Sequence, residues 1–281
     1  MKPINSLARR QTRENRSAGM LARKLFGAAT LVLGLIASPL AAQAADTSTY
    51  DRLLMRYVAA SPDGINRVRY AAWAGDADDV NALNAYVASL ERDRPSDMTR
   101  DERLAHWINL YNAVTLQIII ENYPVRSIRD IRSRTLDPRG LIGPWRTQRV
   151  TVEGRRLTLD QIENSILRPE FNEPRIHYAI NCASIGCPNL RARAWRAETL
   201  DADLTEAARA YVNHPRGVSV DAQGRVRGSN IYQWFAADFG GNAAGVLAHV
   251  QRYASPELRA RLAGATTISG YAYDWALNDV D

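Results

Sequence analysis

The chain is organised around the segment Arg175-Ile-His-Tyr-Ala-Ile-Asn-Cys-Ala-Ser-Ile-Gly-Cys-Pro188, which contains both cysteines of the protein and one of its four histidines. The apolar run from Ile176 to Ile180 predicts a strand. The loop that begins at Asn181 collects side chains that can titrate, ligate a metal or act as nucleophiles. We therefore expect the chemistry of the protein at the end of this strand.

A cysteine nucleophile is the first interpretation of this segment. Cysteine reacts as the thiolate, so it needs a histidine to accept its proton and a carboxylate or amide to orient the imidazole. Cys182, His177 and Glu163 supply these groups, and Asn181 or loop amides would stabilise an oxyanion. An extended chain places His177 and Cys182 more than about 15 Å apart, so this site requires a sharp bend after Ile180.

Two other interpretations of the cysteines stay open. Exported proteins often oxidise their cysteines, and Cys182 and Cys187 can close a small loop as a disulfide. His177 and the two cysteines also supply three possible zinc ligands, but their spacing matches no standard zinc pattern. No metal site and no cofactor is therefore predicted, and the reactive thiol competes mainly with the disulfide.

Residues 1–44 have the pattern of a cleavable secretory signal. Two basic residues precede the apolar run 25–42, and small residues acceptable to a signal peptidase end at Ala44. A start at Met20 would leave a leader of ordinary length and is kept as the alternative start. We predict a periplasmic or secreted protein.

The basic character of the whole chain belongs to this leader. The net charge of +6 comes from 36 basic and 30 acidic residues, of which seven basic and one acidic lie in residues 1–44. The remaining charges balance, which gives no support for a nucleic-acid or anionic-membrane partner. The most apolar later run, residues 114–120, is far shorter than the roughly 20 residues that span a bilayer. The expected partner is a small-molecule or peptide substrate.

A long helix is the clearest structural prediction. Thr99-Arg-Asp-Glu102 is a capping box, and apolar residues at helical spacing continue to about Asn122. Asn109 and Asn112 lie in the middle of this helix, where asparagine is a mediocre helix former. Their amides are expected to have buried partners, either in a structural hydrogen-bond network or in a bound substrate.

Shorter elements are predicted around this helix. A turn-rich loop containing Asp137-Pro-Arg-Gly140 is of a kind that often rims a cleft. Residues 146–158 predict a hairpin, and Thr158 caps a short helix that carries Glu163. The later patterns predict helices over residues 200–214, 231–239 and 244–253, a hairpin over 218–226, and a final strand over 271–275. Residues 45–281 are thus predicted to form one helix-rich α+β domain with a small, mainly antiparallel sheet.

Several residues in the C-terminal third are given ordinary structural roles. The spacing of Trp234, Phe235 and Phe239 indicates the buried face of a helix. Asp238 is interpreted as a solvated acid, and His249 as a surface residue.

Five blocks of the chain resemble one known family. The blocks are His106-Trp-Ile-Asn-Leu-Tyr-Asn-Ala113, Tyr123-Pro-Val-Arg-Ser-Ile128, Leu159-Asp-Gln-Ile-Glu163, the segment from Arg175 to Pro188 quoted above, and Tyr273-Asp-Trp-Ala-Leu-Asn278. In this order they are similar to the signature blocks of domain-of-unknown-function family 547. The resemblance implies a site of Glu163, His177 and Cys182, with Cys187 the less favoured thiol. The family usually has histidine where this chain has Asn164, and if that histidine were the base, this protein would be inactive.

The leading hypothesis is a thiol-dependent hydrolase or acyl-transfer enzyme. Its catalytic residues would be Cys182, His177 and Glu163, and the residues that contact the substrate or the oxyanion would be Asn181, Asn109 and Asn112. The alternative is a non-catalytic periplasmic binding or assembly module, in which Cys182 and Cys187 form a structural disulfide.

Overall fold

The computed structural model describes residues 46–131 and 143–280. The predicted signal and the loop at Asp137–Gly140 lie outside these residues. The helices are α1 (Ser48–Tyr57), α2 (Tyr70–Ala74), α3 (Ala77–Arg92), α4 (Arg100–Asn122), α5 (Leu159–Gln161), α6 (Arg168–Phe171), α7 (Leu200–Val212), α8 (Asn230–Trp234), α9 (Ala243–Tyr253) and α10 (Pro256–Arg261). None of these helices combines the length and apolar composition needed to cross a bilayer.

Short strands form three small sheets in the described residues. β1 (Val58–Ala59) pairs with β2 (Arg67–Val68), and β3 (Val150–Val152) with β4 (Arg155–Leu157), both antiparallel. The third sheet has the order β5 (Val218–Val220), β6 (Val226–Ser229) and β7 (Gly270–Ala272), with β7 parallel to β6. The helix-rich α+β prediction is confirmed. The single sheet that we expected is divided into three, since the first two hairpins share no strand with the third sheet.

Helix α4 is the centre of the molecule. Thr99 caps it as predicted: its side chain accepts from the N–H of Glu102, and the Glu102 carboxylate accepts from the N–H of Thr99. Side chains are buried on all sides of α4, and the helix contacts α2, α3 and α5. The predicted apolar face was therefore too narrow, since a helix buried on all sides lies inside the core.

The segment from Arg175 to Pro188 joins two apolar clusters. The larger cluster surrounds α4 and includes Ile176, Ala179 and Ile180. The second cluster contains Tyr178, packed with side chains of α7, α9 and the third sheet. Burying a large apolar side chain stabilises a fold by about 1.5–3 kcal/mol. Side chains from both clusters thus fix the position of this segment.

The predicted strand in this segment is wrong, because Pro174–Tyr178 forms a 3₁₀-helix. The carboxylate of Glu173 accepts from the N–H two residues later, and the carbonyls of Glu173 and Ile176 accept from N–H groups three residues later. These local bonds replace the partners that a strand would need. The rise per residue is about 2.0 Å in a 3₁₀-helix against about 3.3 Å in a strand, which brings His177 closer to Cys182.

The loop after Asn181 is held by the C-terminal part of the chain. The N–H groups of Ile185 and Gly186 donate to the carbonyls of Ala276 and Asp274, both at 2.8 Å. A Cβ atom on Gly186 would lie 2.8 Å from both the backbone nitrogen and the backbone oxygen of Asp274. Glycine at this position therefore permits the close approach of the two segments.

Candidate functional site

One pocket collects the residues that were predicted to be catalytic. Glu163, His177, Cys182 and Cys187 all line a pocket of about 240 Å³. Much of the remaining wall is aromatic and consists of Tyr111, Trp145, Trp234, Phe235, Tyr273 and Trp275. The fold therefore brings the predicted glutamate, histidine and cysteine to one concave surface.

An irregular helical turn presents Glu163. Helix α5 continues into a π-helix, Ile162–Leu167, in which the N–H of Arg168 donates to the carbonyl of Glu163 five residues earlier. Such widened turns are rare in proteins, and those that occur often lie at functional sites. Asp160 and Asn164, three residues before and one after Glu163, line the same pocket. This helical stretch therefore supplies a polar side to the pocket.

Burial changes the acidity of Glu163. The side chain is 12% exposed. Burial raises the pKa of its carboxyl to about 7, although the positive charge of Arg168 opposes the shift. The hydroxyl of Tyr111 lies 3.4 Å from Oε2, and Nδ1 of His177 lies 3.8 Å from Oε1. Because both protonation states are populated near neutral pH, Glu163 has the acidity that suits a general acid or base.

Asp238 and Phe235 hold the imidazole of His177. Nε2 of His177 lies 2.7 Å from Oδ2 of Asp238, and the Phe235 ring stacks on the imidazole with ring centres 4.1 Å apart. Arg168 donates to both oxygens of Asp238, at 2.6 and 3.0 Å. Burial disfavours the ionised form of Asp238, but the bonds from His177 and Arg168 outweigh it and hold its pKa well below the usual range. The interpretation of Asp238 as a solvated acid is wrong.

The ionised Asp238 fixes the tautomer of His177. A carboxylate only accepts hydrogen bonds, so Nε2 carries the proton and Nδ1 keeps a lone pair on the side of Glu163. Burial lowers the pKa of His177, and the bond to Asp238 only partly opposes this effect. The imidazole is therefore neutral at pH 7. Asp238, rather than Glu163, makes the hydrogen bond that orients the ring.

Cys182 and Cys187 form a disulfide, with their Cα atoms 6.3 Å apart. The hydroxyl of Tyr273 lies 3.0 Å from both sulfur atoms. Neither cysteine is a free thiol in this state, so Cys182 lacks the thiolate that a nucleophile requires. No group of three or more histidine, cysteine or acidic side chains in the described residues is arranged to hold a metal ion.

The three asparagines proposed to contact a substrate bind the backbone instead. Asn112 accepts from the N–H of Asn181 at 2.8 Å and donates to the carbonyl of Ala179 at 2.9 Å. Asn109 makes the corresponding pair of bonds with the backbone of Trp195. The amide of Asn181 binds backbone groups two and seven residues later. None of the three lines the pocket, which favours the structural network over contact with a substrate or an oxyanion.

The aromatic wall is built from separate parts of the chain. Trp234 is 46% exposed, so the prediction that it lies in the core is wrong. Its ring centre lies 4.9 Å from that of Tyr273 and 5.6 Å from that of Trp275, and Trp145 meets Trp275 edge-on at 5.9 Å. Gly143, at a φ of +58°, leaves space that a Cβ atom would take from the Trp145 ring. Contacts between the rings thus fix the shape of the wall.

Residues 95–212 match the model of a family described as a protein of unknown function, DUF547. This region is similar to the DUF547 family. It contains Glu163, His177 and both cysteines, and four of the five blocks that carried the resemblance. No curated protein and no solved structure matches the chain.

The pocket extends beyond the DUF547 region. The rings of Trp234, Tyr273 and Trp275 that line it come from later residues, as does Asp238, which binds His177. Within the region, Asn164 donates to Asp160 at 3.2 Å and accepts from Arg168 at 2.7 Å. The later residues therefore orient the histidine and complete the pocket wall.

Proposed function

We propose that this protein is a hydrolase in which Glu163 transfers protons to and from a ligand held in the aromatic pocket. One observation carries the proposal. A carboxyl whose burial raises its pKa to about 7 lies at the pocket surface, 3.8 Å from the unprotonated nitrogen of a neutral, oriented histidine. A carboxyl with balanced acidity in a concave site is a candidate general acid and base.

The neighbouring groups support two successive proton transfers. Protonated Glu163 donates to the leaving atom of the ligand, and the resulting carboxylate then accepts a proton from the attacking water. His177 would stay neutral and act as a positioning residue beside Glu163. Its ring is held by a hydrogen bond to Asp238, which is itself bound by Arg168. The aromatic wall would limit access of bulk water to the carboxyl.

Export to an oxidising compartment is part of the proposal. The predicted signal in residues 1–44 directs secretion to the periplasm or beyond. Disulfides such as Cys182–Cys187 persist in those compartments and are rare in the cytosol. The signal pattern and the disulfide independently support the same location.

Thiol-dependent hydrolysis or acyl transfer is the second candidate. The specific observation in its favour is that Cys182 lines the same pocket as Glu163 and His177. It requires prior reduction of the disulfide, whereas proton transfer by Glu163 does not. The disulfide equally supports the alternative of a non-catalytic binding module with structural cysteines.

Hydrolysis of a panel of chromogenic esters, amides and glycosides tests the proposal. The variants are Glu163→Gln, Asp238→Asn and the double variant Cys182→Ala/Cys187→Ala, each measured without reductant. General acid–base catalysis contributes about 10²–10⁴-fold, so we expect Glu163→Gln to lose at least about 100-fold in kcat. The cysteine variant is expected to keep its activity.

The pH profile supplies a second readout. Activity that depends on Glu163 should change with an apparent pKa near 7 in the wild type, and that transition should be absent from the residual activity of Glu163→Gln. Full activity of Glu163→Gln would refute the proposal. Activity that appears only with reductant and is lost in Cys182→Ala would establish the thiol mechanism instead.

A further inference from the structure

The pocket has an aromatic side and a polar side. The polar side comes from one helical stretch. Glu163 and Asn164 follow Asp160 by three and four residues, so the three side chains share a face. A group of rings that includes Trp234 and Trp275 lines the same pocket. A ligand in this pocket would meet an apolar surface and a row of hydrogen-bonding groups at the same time.

Trp234 is a preformed surface for such a ligand. Its side chain is 46% exposed, which leaves part of the ring available for contact with a ligand. The rings of Tyr273 and Trp275, 4.9 and 5.6 Å away, hold it in place. Because the ring is already ordered, stacking a ligand on it costs little conformational entropy.

The charges around the pocket favour a neutral ligand. The charge of Asp238 is paired with Arg168 by two hydrogen bonds. The guanidinium of Arg129 lies 5.2 Å from the centre of the Trp275 ring, so this ring of the aromatic wall is already paired with a cation. An anionic ligand would meet the carboxyl groups of Asp160 and Glu163 on the polar side. Neither a cationic nor an anionic ligand would therefore meet complementary charge throughout the pocket.

We propose that the pocket binds one ring of a neutral saccharide, stacked on Trp234 with its hydroxyl edge towards Asp160, Glu163 and Asn164. The C–H groups on one face of a pyranose carry partial positive charge that complements the negative face of an aromatic ring. Its hydroxyl groups both donate and accept, which suits carboxyl and amide partners. The volume of about 240 Å³ lies just below the range of about 300–1,000 Å³ for drug-sized ligands, which fits a single ring.

This inference rests on the proposed function for its chemical step, which would be hydrolysis of the bond between the bound ring and its neighbour. Glu163 gives its proton to the departing glycosidic oxygen as the C–O bond breaks. A water molecule bonds to the anomeric carbon, and the proton that it releases goes to the carboxylate of Glu163. This transfer restores the protonated Glu163, and no oxidant or cofactor is consumed.

Binding is tested with the oxidised full-length mature protein and four neutral tetrasaccharides, namely those of cellulose, xylan, starch and chitin. Affinity is measured by calorimetry and tryptophan fluorescence, with choline and phenol as cationic and aromatic comparators. We expect at least one tetrasaccharide to bind and Trp234→Ala to weaken it roughly 2- to 13-fold. Met55→Ala, which truncates a side chain that is 65% exposed and does not line the pocket, is the matched control and should bind normally.

The outcomes separate this inference from the proposed function. Absence of saccharide binding up to about 10 mM, or unchanged affinity in correctly folded Trp234→Ala and Trp234→Phe, would overturn the saccharide inference. Glu163-dependent hydrolysis of a non-saccharide by the same preparation would leave the proposed function intact. Conversely, a saccharide that binds through Trp234 and is not hydrolysed by the wild type would support the ligand class and count against catalysis.

Discussion

Replacing Glu163 with glutamine is expected to stabilise the protein at alkaline pH while it removes activity. The pKa of this carboxyl rises from 4.5 to about 7 on folding, chiefly because of burial. The folded state therefore holds the proton more tightly than the unfolded state, so stability falls as pH rises from 4.5 to 7. Glutamine keeps the shape of the side chain but does not ionise, so the variant avoids the cost of a buried negative charge.

The size of the effect follows from the two pKa values. A tenfold difference in proton affinity corresponds to about 1.36 kcal/mol, so the full ionisation cost is about 3 kcal/mol above pH 7. Part of this cost is already present at pH 5. The free energy of unfolding of Glu163→Gln relative to the wild type should therefore increase by about 2–3 kcal/mol between pH 5 and pH 8.

Urea unfolding at pH 5, 6, 7 and 8 measures this difference, with the disulfide kept oxidised. Glu170→Gln is the matched control, since Glu170 is exposed on α6 in the same helical stretch. The control should not reproduce the increase expected for Glu163→Gln. If the advantage of Glu163→Gln were the same at pH 5 and pH 8, the carboxyl would be ionised without cost and the reasoning for an acid–base role would fail.

Three further predictions concern the framework of the site. Asn112→Ala leaves two buried backbone groups without partners and should lower the free energy of unfolding by about 2–5 kcal/mol in urea titrations, whereas Asn112→Asp should lose less if only one bond breaks. Gly186→Ala should cost about 1–3 kcal/mol through overpacking, and Gly270→Ala, where the nearest atom is 3.9 Å away, should cost less than half as much by the same measurement. Cys182→Ala/Cys187→Ala should lose about 2 kcal/mol from opening a short loop, and the same loss should follow reduction of the wild type.

Much of the fold follows from local patterns in the sequence. The capping box at Thr99, the hairpin before Thr158 and helix α7 are observed at or near their predicted positions, because local hydrogen bonds and turn residues determine them. The strand predicted at Ile176–Ile180 fails for the converse reason. A proline at the first helical position and a capping glutamate favour a 3₁₀-helix there, and apolar composition alone does not distinguish the two.

The residues that complete the site were harder to predict. Asp238 and Trp234 lie more than 50 positions from His177 in the sequence. The helical spacing of the residues around them is the same for a helix face that packs in the core and for one that lines a pocket. His249, predicted to be exposed, is 6% exposed and lies 3.0 Å from the hydroxyl of Tyr178, where burial lowers its pKa to about 4. The sequence around a histidine on one helix does not show that the histidine will contact a residue on another element. That contact is known only from the tertiary structure.

The segment from Arg175 to Pro188 explains why the disulfide and the contact between His177 and Glu163 can be separate features. Its first half places His177 between Asp238 and Glu163, since the flanking side chains are fixed in both apolar clusters. Its second half is a loop closed by a disulfide and by backbone bonds to the C-terminal segment. Reduction would loosen the second half and leave the hydrogen bond between His177 and Asp238 in place. Proton transfer at Glu163 should therefore survive reduction, whereas the part of the pocket wall that rests on Tyr273 should become more mobile, because that hydroxyl contacts both sulfur atoms.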